Sequence, residues 1–340
     1  MKKLTLCEPG SEKPGPRVIL DTNVWGYLAQ QNAGEKLAEL AHDLSLNIQV
    51  TPSVLYEALR SPNPSTRSSL AELMTRPCWQ RLMPEAFGES IELLGEIRRL
   101  RPQWLHHRPL HQRYQMYYND WTSIDVGFWD RVRKNPDLES DRIIALDDGQ
   151  LEAARHESEQ RRGLMRSATF LEQASLRELV VKWRVPVPGW DGTPVSAWRV
   201  AGLTISGYAL RAKTHPFRDW LRAFVLFSET QKDHASWNHF WLHEVEEKRM
   251  PRFWISWAFE HLMAFRKVTN GTPCDIQLST YLVGSDLVVS ADKGFISSSR
   301  RCHSEAPFNI AQARLIPAGR QGVEALLNYL REFSSGRPAV

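Results

Sequence analysis

The sequence predicts an α/β protein built on a parallel sheet, and three observations carry that expectation. Near each end of the chain a short β-branched run stops at an acid: Val18-Ile-Leu20 before Asp21, and Leu287-Val-Val-Ser-Ala before Asp292. The first run is followed by helical spacing, a second strand-like segment and helical spacing again. That alternation builds parallel sheets. A long stretch of different texture, rich in tryptophan and arginine, separates the two α/β ends.

Taken in order, Val18-Ile-Leu20 reads as a buried strand. Val24 to Leu46 carries Leu28, Leu37, Leu40, Ala41 and Leu44 at helical intervals, and Gly34 is expected to break it into two short helices. Asn47-Ile-Gln-Val50 alternates like a strand. Thr51-Pro-Ser53 then leads into a helix with Val54, Leu55, Glu57, Ala58 and Leu59, and Ser53 is the expected N-cap. Ser61-Pro-Asn-Pro-Ser65 ends that helix, and 69–74 and 90–100 read as further helices. Ten of the 13 tryptophans fall within about 101–254. Helical spacing recurs there at 141–162 and 168–183, and Val185-Pro-Val-Pro-Gly-Trp190 divides the region. At the far end, 275–284 reads as a helix, 287–292 as a strand, 313–317 as a short strand and 323–333 as a closing helix, with a frayed tail after it. The expected organisation is a three-layer α/β/α domain in two parts, 17–90 and 261–335, interrupted by a mostly helical insertion, 91–260.

Composition narrows the function classes. The net charge of +4 permits a polyanionic partner without demanding one. Cys7, Cys78, Cys274 and Cys302 lie far apart with no C-x-x-C pair, which argues against a disulfide framework or zinc knuckle and for a reducing cytoplasm. The basic N-terminus lacks the apolar core of a secretory signal. No uncharged apolar run approaches the roughly 20 residues needed to span a bilayer. Trp220 to Phe227, the richest candidate, is interrupted by Arg222. A cytoplasmic protein with no membrane partner is expected.

Four acids occupy comparable places in this scheme. Asp21 ends the first strand, and Glu57 is expected in the first turn of the helix after the second. Asp275 is expected to start a helix, and Asp292, 17 residues on, to end the next strand. Parallel strands put their C-terminal ends and the following helix N-termini on one edge, where ligands of open α/β sheets bind. Singly, each acid has a plainer explanation: a helix cap for Asp21 and Asp275, a solvated helix position for Glu57, a turn for Asp292. Together they form a candidate site. Converging carboxylates cannot all ionise without repulsion, and a hard divalent cation with oxygen ligands relieves it. Asp286, placed before its strand, is expected to face solvent.

The pieces Val18-Ile-Leu-Asp-Thr-Asn-Val-Trp25, Ser53-Val-Leu-Tyr-Glu57 and Asp275-Ile-Gln-Leu-Ser-Thr-Tyr-Leu, continued by Leu287-Val-Val-Ser-Ala-Asp-Lys-Gly-Phe295, resemble the PIN-domain nucleases over about 17–85 and 262–335. The resemblance implies a small α/β/α sandwich and Mg²⁺- or Mn²⁺-dependent cleavage of RNA, as in many bacterial toxins. It assigns catalysis and metal binding to Asp21, Glu57, Asp275 and Asp292, with Asn23 and Ser290 in support. It also implies RNA or another single-stranded nucleic acid as substrate, a toxin or phage-defence role and an inhibitory or regulatory protein partner. A homo-oligomer is compatible with it. The long insertion departs from the small members of that family.

The alternatives are a DNA or structure-specific nuclease on the same fold, and a catalytically silent nucleic-acid- or protein-binding module. A phosphoaspartate phosphatase resembles Asp-x-Asp, but the second place here is Asn23. His239 and His243 have zinc-pair spacing on an aromatic segment where packing is expected instead. No phosphate-binding G-x-x-x-x-G-K-[ST] loop occurs. The tryptophans and arginines of the insertion suit either base stacking or a tryptophan-rich core, and the core is the preferred expectation.

Overall fold

The structure is a computed structural model that describes residues 15–336, except 124, 148, 166, 167, 169, 213, 214 and 270. The N-terminal segment with Cys7 and the last four residues of the tail lie outside the described residues.

Five parallel strands form one sheet: β1 (Arg17–Leu20), β2 (Asn47–Val50), β3 (Gln80–Arg81), β6 (Leu287–Ser290) and β7 (Gln312–Leu315). β4 (Val180–Val181) and β5 (Val195–Ser196) make a separate antiparallel pair. The sheet order is β3-β2-β1-β6-β7. β1 therefore lies between β2, which follows it closely in sequence, and β6, which returns after the whole insertion. Every residue of β2 and β6 is buried, and so are the last three of β1. Both faces of the sheet are therefore covered, as expected of parallel strands. β7 alternates exposed and half-buried positions and forms an edge.

Several local expectations are corrected. The helices after β1 span Thr22–Gln30 and Gly34–Asp43, so Gly34 opens the second one. The break falls just before it, where Asn32 takes a positive φ of 51°. The helix after β2 runs Pro52–Leu59, and Thr51 caps it by accepting from Val54 N–H, because Pro52 already occupies the first turn. Ser53 lies inside the helix, and its hydroxyl pairs with that of Thr51 at 3.0 Å. Helices 64–74 and 85–100 begin several residues earlier than their apolar spacing indicated. Among the described residues of 168–183, the one helix before β4 is the short Phe170–Gln173. The final helix spans Arg320–Ser335, so Ser334 and Ser335 are helical rather than frayed.

The insertion is mostly helical, and its tryptophans serve the core. Trp104, Trp129, Trp198, Trp220, Trp237, Trp241 and Trp254 are buried. Each fully buried indole removes roughly 200 Å² from water, about 5 kcal/mol of gross hydrophobic driving force. These rings belong to a continuous apolar cluster that also contains the sheet residues Val18, Ile19 and Val288. His239 and His243 seat the 188–191 loop: His239 Nδ1 lies 3.2 Å from the Gly189 carbonyl oxygen, and His243 accepts from Asp191 N–H at 3.4 Å. They act as packing residues. Of the described cysteines, Cys274 and Cys302 are buried free thiols. No helix among the described residues is long and apolar enough to cross a membrane.

Candidate metal centre

Asp21 leaves β1 with its N–H donating to the Val289 carbonyl of β6 at 3.0 Å. It therefore stands where the chain order reverses across the sheet, between β1 and β6, the crevice in which open parallel sheets bind ligands. It is buried and caps the helix Thr22–Gln30. One carboxylate oxygen accepts from Thr22 N–H at 2.7 Å. The other accepts from the Asn23 amide at 2.6 Å and from the Ser290 hydroxyl at 2.5 Å. The expected helix cap and the expected site residue are thus the same side chain.

Ser290 and Asn23 tie the two strand ends together. Ser290, fully buried at the end of β6, accepts from Asp292 N–H at 2.8 Å and from the Asn23 amide at 3.2 Å. The Asn23 carbonyl oxygen accepts from Ala291 N–H at 3.0 Å. Asp292 does not end the strand: β6 stops at Ser290, and Asp292 N-caps a helix, Lys293–Glu305, by accepting from Phe295 N–H at 2.9 Å. Its side chain is exposed.

Glu57 lies in the second turn of Pro52–Leu59 rather than the first. It reaches the site through Thr22, whose hydroxyl donates to the Glu57 carboxylate at 2.5 Å. Thr22 is the connecting residue that the sequence reading passed over. Its position between Asp21 and Asn23 was the available signal, since a hydroxyl there points off a helix start into the same crevice. Asp275 sits inside the first turn of Thr272–Ser279 and does not cap it. Asp286 is corrected as well: it accepts from Arg17 N–H at 2.8 Å and pairs with the Arg17 guanidinium at 3.2 Å.

Electrostatics link all four acids. Burial raises the Asp21 carboxyl above its ordinary range; the bonds from Ser290, Thr22 and Asn23 partly offset this, and the Asp292 charge adds to it. Glu57 is raised by burial, eased by the Thr22 hydroxyl, raised by the Asp21 charge, eased by the Arg60 charge and raised again by Asp292. Asp275 is pushed up to about 8, first by burial and then by the charges of Asp21, Asp292 and Glu57. Elements far apart in sequence thus bring Asp21, Glu57, Asp275 and Asp292 within electrostatic reach of one another.

Asn23 and Ser290 hold Asp21 and the Asp292 turn in place through these hydrogen bonds. Among the described residues, no three His, Cys, Asp or Glu side chains stand close enough to enclose a metal ion. The donor chemistry suits a hard cation nonetheless: four carboxylate-bearing residues, and no thiol or imidazole among them. Mg²⁺ keeps several waters and is commonly bound through only one or two carboxylates. No known protein-family profile, curated protein or solved structure matches the chain.

Proposed function

We propose that the protein is a Mg²⁺- or Mn²⁺-dependent endoribonuclease on a PIN-like α/β/α domain. The observation that carries the reading is the convergence of Asp21, Glu57 and Asp292 on Asp275, a half-buried carboxyl raised to about 8 first by its burial and then by the charges of those three acids. Such mutual repulsion is costly in a merely structural cluster and is relieved by a divalent cation. Bound there, the ion would supply a water nucleophile near neutral pH and charge stabilisation for a phosphodiester. Asp21, Glu57, Asp275 and Asp292 would hold it. Ser290 and Asn23 would fix the orientation of Asp21, and Thr22 that of Glu57.

RNA as substrate rests on the resemblance to the PIN-domain nucleases, as does a toxin or phage-defence role under restraint by a partner protein. The test is incubation of purified protein and Mn²⁺ with labelled RNA and DNA, beside Asp21→Asn and Asp292→Asn. RNA cleavage lost in both variants supports the proposal. Cleavage of DNA alone moves the substrate. A wild type that cuts neither, or variants that cut as well as it does, would overturn the nuclease assignment and leave a binding module.

A further inference from the structure

The insertion sends the helix Gln150–Met165 back against Thr272–Ser279, the helix that carries Asp275. Between that returning helix and the loop before Asp275 lies a cleft of about 350 Å³, lined by Arg155, Glu159, Arg162, Gly163, Lys267 and Val268. Arg155 pairs with Glu159 at 3.2 Å. Arg162 and Lys267 carry no carboxylate partner among the described residues, although arginines elsewhere in the insertion, such as Arg101, Arg131 and Arg161, are held in ion pairs.

Arg266, the neighbour of Lys267, points the other way. A Cβ placed on Gly294 would lie 2.8 Å from Arg266 Nη1 and 2.9 Å from Asp292 Oδ1. The guanidinium therefore rests against the first turn of Lys293–Glu305, beside the Asp292 carboxylate, and it too has no ion-pair partner among the described residues. Two consecutive residues thus connect the acidic corner to the basic cleft.

We propose that Arg162, Lys267 and Arg266 form a track that grips the phosphate backbone of a single-stranded nucleic acid and leads it to the Asp292 corner. The proposal rests on the nuclease reading for its substrate class and assigns the insertion a role in holding that substrate. The residue types fit. Unpaired cations neutralise phosphates without reading bases, and each contact adds to the salt dependence of binding. Arg266 would place one phosphate beside the carboxylates, while Arg162 and Lys267 would hold the flanking strand.

The test uses the full-length Asp21→Asn protein, so that binding is measured without cleavage. Fluorescence anisotropy follows labelled single-stranded RNA and DNA of one sequence at several salt concentrations. Arg162→Gln/Lys267→Gln should weaken binding about tenfold and reduce the salt slope by about 1.4, the value for two lost contacts to a single strand. Arg331→Gln is the control, since Arg331 lies in the last turns of a helix whose Ser334 contacts Leu44 at the opposite edge of the sheet. Circular dichroism and thermal melting establish that the variants fold. RNA bound in preference to DNA, or the reverse, tells which strand the track serves. No binding by the parent, or an unchanged slope in the double variant, overturns the track. Salt-dependent binding by a wild type that cuts nothing would instead sink the nuclease reading and leave the track standing.

Discussion

Replacing Asp275 by Asn removes a carboxyl whose ionisation the metal-free fold opposes, first by burial and then by the charges of three other acids. The carboxyl is raised from an ordinary 3.8 to about 8 in the folded chain, with burial as the main cause. Between those values the folded state binds a proton that the unfolded state releases. This group therefore costs nothing below about pH 4, and its penalty grows as pH rises toward 8. At 1.36 kcal/mol per pH unit, the interval from 3.8 to 7 amounts to about 4 kcal/mol as a ceiling. Partial solvent access lowers it to about 1–3 kcal/mol. Asp275→Asn should therefore melt a few degrees higher than wild type at pH 8 in EDTA, converge with it near pH 4, and cleave nothing. Added Mn²⁺ should raise the wild-type melting temperature, because an ion that binds only the folded state stabilises it, and should raise that of the variant less. Thermal melts at pH 4, 6 and 8, with and without Mn²⁺, decide the matter. An Asn variant that is less stable than wild type at pH 8 in EDTA, or that keeps the wild-type pH dependence, refutes the raised Asp275 carboxyl.

Ser290→Ala leaves the buried Asp21 carboxylate and Asp292 N–H without the hydroxyl that bridges them at 2.5 and 2.8 Å, and should cost about 1–3 kcal/mol in urea denaturation. Because that hydroxyl lowers the Asp21 pKa, its loss should also shift the acidic limb of the cleavage profile to higher pH. Thr22→Val keeps the branched shape but deletes the bond to Glu57, so kcat/KM should fall by about tenfold at near-normal stability; unchanged kinetics would show that Thr22 does not position Glu57. Gly189→Ala should destabilise the fold by about 2 kcal/mol or more, since φ there is +80° and a Cβ would sit 2.1 Å from the Ala235 carbonyl oxygen. A wild-type melting temperature in that variant would refute the tight seating of the 188–191 loop.

The elements legible in the sequence are those whose environment is simple. β1 and β6 are closed on both faces, so burial leaves nearly continuous apolar runs that need no partner to be recognised, whereas β2, equally buried, was legible from the alternation of Asn47-Ile-Gln-Val50. β3 and the β4–β5 pair have two residues per strand, too few for any periodicity, and exist because a neighbour offers hydrogen bonds. The helix Lys293–Glu305 escaped notice because its sequence, Lys-Gly-Phe-Ile-Ser-Ser-Ser-Arg-Arg, is polar. Only the fold shows that Ser298 and Ser299 are among its buried residues. Pro52 moved the helix start to Thr51, and that shift alone put Glu57 in the second turn instead of the first.

By itself, the sequence determined that Asp21 follows a strand and that Asp275 stands in the first turn of a helix, because strand termination and helix initiation are local chemistry; it set Glu57 a turn too early and Asp292 on a strand instead of at a helix cap. It also determined that Asp21, Asn23 and Ser290 were worth watching, since a carboxylate, an amide and a hydroxyl at such ends have few apolar uses. The tertiary structure decided the rest. It joined β1 to β6 across the insertion, so that Ser290 reaches Asp21 from 269 positions away. It made Thr22 the link to Glu57, and left the Asp275 carboxyl facing three other acids without a hydrogen-bond donor among the described residues. Repulsion between carboxylates and the pairing of a single hydroxyl act over a few ångströms, and only the folded chain sets which groups come that close.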